Sequence, residues 1–92
     1  MIKSFICEDT KRLFEGKNVP RYANISSVAN RKLQQLDSAA TLDSMRAPPG
    51  NRLELLQGDR SLQYSVRINS QWRLCFVWEA DGPSDVAIVD YH

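Results

Sequence analysis

The sequence of residues 63–78, QYSVRINSQWRLCFVW, alternates apolar and polar side chains on either side of a short polar stretch. This period of two is typical of β-strands that bury one face. Aligning the apolar residues on one side requires an odd-length loop, for which Asn69-Ser70-Gln71 is suited. The stretch therefore predicts an antiparallel hairpin whose buried pairs are Tyr64 with Phe76, Val66 with Leu74, and Ile68 with Trp72.

The same register places two arginines, Arg67 and Arg73, directly opposite each other on the other face. Like charges in such a cross-strand pair are unfavourable by up to roughly 1 kcal/mol. The pair is explained if both guanidinium groups bind a shared anion, and phosphate is the obvious one. The alternative is that acidic neighbours neutralise the pair. A four-residue loop over 80–83 would place Asp90 beside Arg73, whereas a five-residue loop would place Tyr91 there, and both stay open.

The region before this hairpin is mostly helical. Residues Ile2–Ile6 predict a short strand, and a short helix capped by Asp9 or Thr10 follows it and closes at Gly16. A longer amphipathic helix comes next, because one set of apolar residues recurs at helical spacing. These residues are Ile25, Val28, Ala29, Leu33, Leu36 and Ala40.

Strands and turns dominate the rest of the chain. A last helical turn capped by Thr41 ends at the residues Pro48-Pro49-Gly50. Residues 53–55 then alternate as in a strand, with a turn at 58–60, and residues 86–89 are apolar on both faces as in a central strand. This order predicts one α+β domain over the whole chain, an antiparallel sheet with the N-terminal helices packed on one face.

The composition of the 92 residues is that of an ordinary globular domain, with 42% hydrophobic residues, 4 Gly and 4 Pro,. No apolar run approaches the roughly 20 residues that cross a bilayer, and the N-terminus has no signal-peptide pattern, so we expect a cytoplasmic protein without membrane contact. One His and two cysteines argue against a metal site, since zinc takes three or four protein ligands. Cys7 and Cys75 are interpreted as small strand residues.

The charge is small in sum but unevenly distributed. The net charge is +1, yet residues 1–50 carry 8 basic and 5 acidic groups, whereas residues 51–92 carry 4 and 6. Eight of the 12 basic residues are Arg, the side chain that suits bidentate phosphate contact,. The only histidine, His92, has a side chain whose unperturbed pKa of about 6.5 suits acid–base chemistry at neutral pH, although a residue at a chain end is more often inert.

These features resemble the HigB toxins, a branch of the RelE/ParE-like bacterial toxin superfamily. The resemblance covers essentially the whole chain and rests on Met1–Phe5, Gly58-Asp59-Arg60, Ser65–Phe76 and Asp90-Tyr91-His92. It implies a compact RelE-like fold and a metal-independent endoribonuclease, without a cofactor, that cleaves mRNA in the ribosomal A site. It also implies three partners: a HigA-type antitoxin that neutralises the toxin, the 70S ribosome with its mRNA, and operator DNA reached only through the antitoxin.

The resemblance assigns roles to the C-terminal residues and to the arginine pair. His92 would act in acid–base catalysis, and Arg73, with Arg67 behind it, would stabilise charge on the phosphate. Tyr91 would stack on or orient a nucleotide, and Asp90 would position an arginine or His92.

Other residues receive supporting roles. Asn69 and Trp72 would support the site, although the alternation places Trp72 in the core. Glu54 stands where some relatives have a second catalytic His, and it either shares catalysis or only pairs with Arg52. A solvated basic face of Arg21, Arg31, Lys32 and Arg46 is expected to contact ribosomal RNA. The residues expected to bind RNA or phosphate are Arg67, Asn69, Arg52, Arg31 and Lys32.

Two alternatives remain at this point. One is a non-catalytic ParE-like inhibitor that binds DNA gyrase, although such relatives lack the paired arginines and the terminal Asp-Tyr-His. The other is an interaction module whose only role is to complex the antitoxin. Loss of the His92 side chain distinguishes them from the nuclease, because neither a gyrase binder nor a scaffold needs it.

Overall fold

A computed structural model describes residues 1–56 and 63–90. Two α-helices precede a four-stranded antiparallel sheet, so the predicted α+β class is confirmed. No helix in these ranges is long and apolar enough to cross a membrane. The helices and strands are α1 (Glu8–Phe14), α2 (Ser26–Ser38), β1 (Glu54–Leu55), β2 (Gln63–Arg67), β3 (Trp72–Glu79) and β4 (Gly82–Asp90), and 3₁₀ turns lie at Pro20–Tyr22, Leu42–Arg46 and Pro49–Asn51. The turn predicted at residues 58–60 lies outside the described residues.

The hairpin of β2 and β3 has the predicted register. Tyr64 pairs with Phe76, Val66 with Leu74, and Arg67 with Arg73, and the backbone N–H of Ile68 donates to the carbonyl of Trp72 at 3.0 Å. The strand order is β1-β2-β3-β4, so this hairpin lies in the middle of the sheet.

The pairing of β3 with β4 differs from both predicted registers. Glu79 pairs with Gly82, which leaves a loop of two residues rather than four or five. A β-bulge follows, in which Asp85, at a positive φ of 51°, is the extra residue on β4,. Arg73 therefore pairs with Val89, and neither Asp90 nor Tyr91 is its direct cross-strand partner. A left-handed residue other than glycine leaves little signal in a sequence, which is why the bulge was missed.

The helices cover one face of the sheet, as predicted. Buried residues of α2 contribute to a single core with buried residues of the strands. Fully burying each Leu, Val or Phe side chain contributes about 1.5–3 kcal/mol, so this layer accounts for much of the stability. From α2 the core takes Ala29, Leu33 and Leu36, and from the strands Val66, Leu74, Phe76, Val86 and Ile88.

The N-terminal segment forms an isolated parallel bridge, Phe5 with Val86, rather than the predicted strand Ile2–Ile6. The bridge is short because the chain turns into α1 at Glu8. Beyond it, the backbone N–H of Ile88 donates to the hydroxyl of Thr10 at 2.9 Å. These contacts cover the outer edge of β4, which would otherwise present unpaired backbone groups. The apolar pattern of residues 86–89 predicts a central strand, but β4 lies at the edge of the sheet.

The predicted helix boundaries differ at the start of α1 and at the end of α2, which stops at Ser38 and leaves Ala40 exposed rather than on the buried stripe. Neither Asp9 nor Thr10 is the cap, because α1 begins at Glu8 with Cys7 as N-cap, and the Thr10 hydroxyl serves β4 instead. Gly16 does follow the end of α1, at a φ of 88° that glycine adopts without strain,. The hydroxyl of Thr41 accepts from the backbone N–H of Ser44 at 3.3 Å, which confirms the predicted cap.

Candidate functional site

The guanidinium of Arg73 is held in one position on the sheet face away from the helices. Its Nε donates to the Ser65 hydroxyl at 2.8 Å, and its Nη2 donates to the backbone carbonyl of Arg52 at 3.0 Å. Only 12% of the side chain is exposed. Arg67 stands directly across from it and is half-buried. The predicted pair of arginines is therefore real, and one of its members is preoriented.

Glu54 lies on the same face, because β1 pairs it with Ser65. Its Oε1 is 3.8 Å from Nη2 of Arg73, and 58% of its side chain is exposed. The predicted pairing of Glu54 with Arg52 is thus replaced by a contact with Arg73. Residue 52 contributes its backbone carbonyl, whereas its own side chain is exposed.

Asp90 and Asn69 lie at the end of the sheet near the β2–β3 turn. Asp90 pairs with Trp72 across β3, and its Oδ2 accepts from Gln71 Nε2 at 3.1 Å. The side-chain oxygen of Asn69 accepts from the backbone N–H groups of Gln71 and Trp72, both at 2.8 Å. Asn69 therefore holds the turn with its oxygen, an Asx-type arrangement.

Trp72 packs as the alternation indicated, against the core rather than toward the arginine face. Its ring meets Tyr22 edge-on, with the centroids 5.5 Å apart. The guanidinium of Arg21 lies 5.7 Å from the centroid of Trp72, and Arg21 also approaches Asp9 at 3.7 Å. Tyr91 and His92, the remaining predicted catalytic residues, lie outside the described residues.

The prediction that Lys32 belongs to a solvent-exposed basic face is wrong. This side chain is buried, and its Nζ donates to Oδ1 of Asn51. The reason is helical spacing, since residue 32 lies three residues after Ala29 and four before Leu36, on the buried side of α2. Burial lowers the pKa of Lys32, and the nearby charge of Arg31 lowers it further. Arg31 itself is exposed, as expected.

The two cysteines have different surroundings. Cys75 is buried in β3, which raises the pKa of its thiol to about 11 despite the nearby charge of Arg73. Cys7 is the N-cap of α1 and not a strand residue. Burial alone would raise the pKa of Cys7, but hydrogen bonds with Thr10 and Tyr22 outweigh it and lower that pKa.

Alkylation by iodoacetamide at pH 8 is expected to modify Cys7 at least about 100-fold faster than Cys75, because the thiolate is the nucleophile. With a pKa of about 11, only about one Cys75 thiol in a thousand is ionised at that pH. Peptide mass spectrometry over time measures both rates. The control is Cys7→Ser, in which Cys75 is the one remaining cysteine. Equal rates would contradict this difference.

Two further polar residues, Ser65 beside Arg73 and Asn51 next to Arg52, were not predicted from the sequence. Ser65 was on the polar side of the alternation, and its diagonal position relative to Arg73 was a usable signal. Asn51 is fully buried and contacts α2, so its role depends on residues distant in sequence. Among residues 1–56 and 63–90, no group of three His, Cys, Asp or Glu side chains is placed to hold a metal ion.

Comparisons with known proteins agree on the kind of protein that this chain resembles. A family model described as HigB-like toxin, the RelE-like toxin of the type II toxin–antitoxin system HigB, matches residues 3–92. Toxin HigB-1 of Vibrio cholerae serotype O1 is 40% identical over 85 residues, or 92% of this chain and 83% of that protein. An uncharacterized protein of Haemophilus influenzae is 37% identical over 57 residues, or 62% of this chain and 56% of that protein.

A solved structure supports the fold independently of sequence. The YoeB–YefM complex from Staphylococcus aureus matches with a TM-score of 0.61 over 100% of this chain and 95% of that chain, at 16% identity. Similarity at this level of identity concerns the arrangement of helices and strands. It agrees with the two helices and the antiparallel sheet described above.

Proposed function

This chain belongs to the HigB-like toxins, the RelE-like toxins of type II toxin–antitoxin systems, and we propose that it is a metal-independent endoribonuclease that cleaves mRNA on the ribosome. The observation that carries the proposal is the arginine pair, with Arg73 preoriented by Ser65 and the Arg52 carbonyl. A gyrase-binding inhibitor is not favoured, because the family matches are to HigB toxins.

The reaction is attack by the 2′-hydroxyl of a nucleotide on its own 3′-phosphate. The oxygen–phosphorus bond forms as the bond to the leaving 5′-oxygen breaks, so one group must take a proton and another must supply one. Negative charge grows on the phosphoryl oxygens in the transition state. Arg73 stabilises this charge with a guanidinium that is already oriented, which avoids reorganisation during the reaction.

The acid–base chemistry is assigned to the C-terminal residues. His92 carries one of these two proton transfers, because an imidazole, with an unperturbed pKa of about 6.5, suits acid–base chemistry near neutral pH, and solvent water carries the other. Tyr91 stacks on or orients a nucleotide, and Asp90 positions an arginine or His92. The side chains of Arg67, Arg52 and Arg31 contact the phosphate backbone of the RNA. Lys32 does not take part in this contact, because it is buried.

Dependence on the ribosome follows from how few acid–base groups the chain offers. Orientation of the reacting groups can contribute about 7–11 kcal/mol in well-aligned reactions. The ribosome holds the mRNA and supplies this orientation. Efficient cleavage of naked RNA by the purified protein would contradict this part of the proposal.

The partners are proposed on the same basis. The matched structure is a complex of YoeB with YefM, and we propose that a HigA-type antitoxin binds and neutralises this toxin. Operator DNA is then reached only through the antitoxin, and the toxin acts in the cytoplasm, where ribosomes are.

Primer extension on an mRNA translated by purified ribosomes tests the proposal. Defined cuts that require both the toxin and the ribosome are expected, and they should persist when the toxin has been treated with a chelator and desalted beforehand. Growth arrest without any cut would refute the nuclease activity. Cuts lost after chelator treatment would refute the metal independence alone.

Substitution of Glu54 by Gln is expected to lower the cleavage rate by less than about tenfold, because 58% of the Glu54 side chain is exposed to solvent. Its exposed carboxylate, near Arg73, contributes mainly a weak ion pair,. Single-turnover cleavage on ribosomes measures the effect. A loss of about hundredfold or more would instead assign Glu54 to acid–base catalysis.

A further inference from the structure

A buried asparagine next to the arginine site is saturated with hydrogen bonds. Asn51 is 0% exposed, and its Nδ2 donates to the carbonyls of Met45 and Ala47, both at 3.0 Å. Nδ2 also lies 3.2 Å from Oε1 of Gln35 on α2. Its Oδ1 accepts from Nζ of Lys32, also on α2. A buried network with all its groups bonded fixes one conformation.

The lysine in this network is unusual in its own right. Lysine is almost never fully buried without a partner, and here α2 carries Lys32 to the acceptor oxygen of Asn51. Gln35, one turn along α2, donates from Nε2 to the Ala47 carbonyl at 2.6 Å. Two side chains of α2 thus hold the segment that leads from the end of the helical region to β1.

This segment ends at Arg52, whose backbone carbonyl holds the guanidinium of Arg73. Asn51 immediately precedes Arg52, which has a φ of 46° and a ψ of 60° in the left-handed region. A residue other than glycine stays in this region only when its surroundings impose the conformation. In this conformation the Arg52 carbonyl accepts from Nη2 of Arg73 at 3.0 Å.

We propose that Asn51, anchored by Lys32, is a positioning residue that holds the Arg52 carbonyl where it orients the Arg73 guanidinium. The inference rests on the proposed function only for the consequence in catalysis. Its structural part, the orientation of Arg73 by α2 through Asn51, applies to the free toxin. It also gives a role to Lys32, a lysine on the buried side of α2.

The test uses two variants, Asn51→Ala and Lys32→Met, with Thr10→Val as matched control. Thr10→Val also removes a buried polar partner, that of the Ile88 amide at the outer edge of β4, and Thr10 makes no hydrogen bond to Lys32 or Asn51, whose bonds are to each other and to Gln35, Met45 and Ala47. All are studied at a temperature at which thermal unfolding shows each variant to be folded. Lys32→Met keeps the chain's length and apolar stem at that position, so it serves if Asn51→Ala does not fold.

The first measurement is NMR of arginine side chains in the free toxin, with the Arg73 signals assigned by their loss in Arg73→Lys. Wild type and Thr10→Val are expected to show slow rotation of the Arg73 Nη groups. Asn51→Ala and Lys32→Met are expected to show fast rotation. Unchanged slow rotation in both would overturn the proposal, whatever the toxin does to mRNA.

The second measurement is cleavage on ribosomes as a function of toxin concentration. In Asn51→Ala the maximal rate is expected to fall about 10–100-fold, because small misplacements of a catalytic group are costly, while the half-saturating concentration stays within about twofold. A higher half-saturating concentration with an unchanged maximal rate would overturn the positioning role. If wild type cleaves nothing, the proposed function fails, and the NMR result still decides whether Asn51 orients Arg73.

Discussion

Replacement of Arg73 by alanine is expected to lower the rate of ribosome-dependent mRNA cleavage by about 10²–10³-fold, the usual cost of removing one preoriented donor from a transition state. The guanidinium is held by the Ser65 hydroxyl and the Arg52 carbonyl before substrate arrives. It therefore stabilises the charged phosphate without having to be ordered during the reaction. Single-turnover cleavage, monitored by primer extension, measures the loss.

Two further variants separate charge from geometry. Arg73→Lys keeps the positive charge but loses the planar fork that bonds both Ser65 and Arg52, so it is expected to restore only part of the activity. Arg12→Ala removes an exposed arginine from α1 and is expected to cleave within about twofold of wild type,. Full activity of Arg73→Ala would refute the assigned role of this site.

Replacement of His92 by alanine is expected to lower cleavage by about 10²–10⁴-fold, the usual contribution of a general acid or base. It is the only histidine in the chain. Wild-type cleavage should therefore depend on a group that titrates near neutral pH, and this dependence should disappear from the residual activity of His92→Ala. The rate measured across a series of pH values provides both readouts.

Growth of cells that express the variant gives the complementary result. A nuclease that needs His92 no longer arrests growth after His92→Ala, provided that immunoblotting shows equal amounts of toxin. Arrest that persists in His92→Ala while cleavage is lost would mean that toxicity comes from binding a target such as gyrase. Cleavage that persists would instead move the acid–base role away from His92.

The two faces of the sheet carry different kinds of side chains. One face of β2 and β3 packs on the helices through Val66, Leu74 and Phe76. The other carries Arg67 and Arg73, whose mutual repulsion costs up to about 1 kcal/mol. The ion pair of Arg73 with Glu54 is weak because Glu54 is mostly exposed,.

Much of this face was predictable because its determinants are local. The alternation of residues 63–78 and the odd-length loop at Asn69-Ser70-Gln71 were sufficient for the register that sets Arg67 against Arg73. A one-residue slip would have turned every apolar side chain away from the core. The resemblance to HigB toxins rests on the same block of residues, and the family match over residues 3–92 confirms it.

The neighbours of Asp90 and Lys32 were not predictable in the same way. The two-residue loop shifts β4 by two residues from the register that a four-residue loop would give, and the bulge at Asp85 restores one of them, so that Val89 and not Asp90 faces Arg73. For Lys32, helical spacing was a signal that its charge obscured. A charged side chain is interpreted as exposed unless a buried partner is known, and that partner, Asn51, is 19 residues away.

The amino-acid sequence thus specified the element order, the central hairpin and the paired arginines, since each depends on periodicity within a few residues. The orientation of Arg73 came from the folded chain. It depends on the left-handed Arg52, on Asn51 and on Lys32 of α2, groups brought together by packing over 19 to 21 residues of separation. Hydrogen bonds between such distant groups leave no periodic trace in a sequence, because each partner looks like an ordinary polar residue until the helix lies beside the sheet.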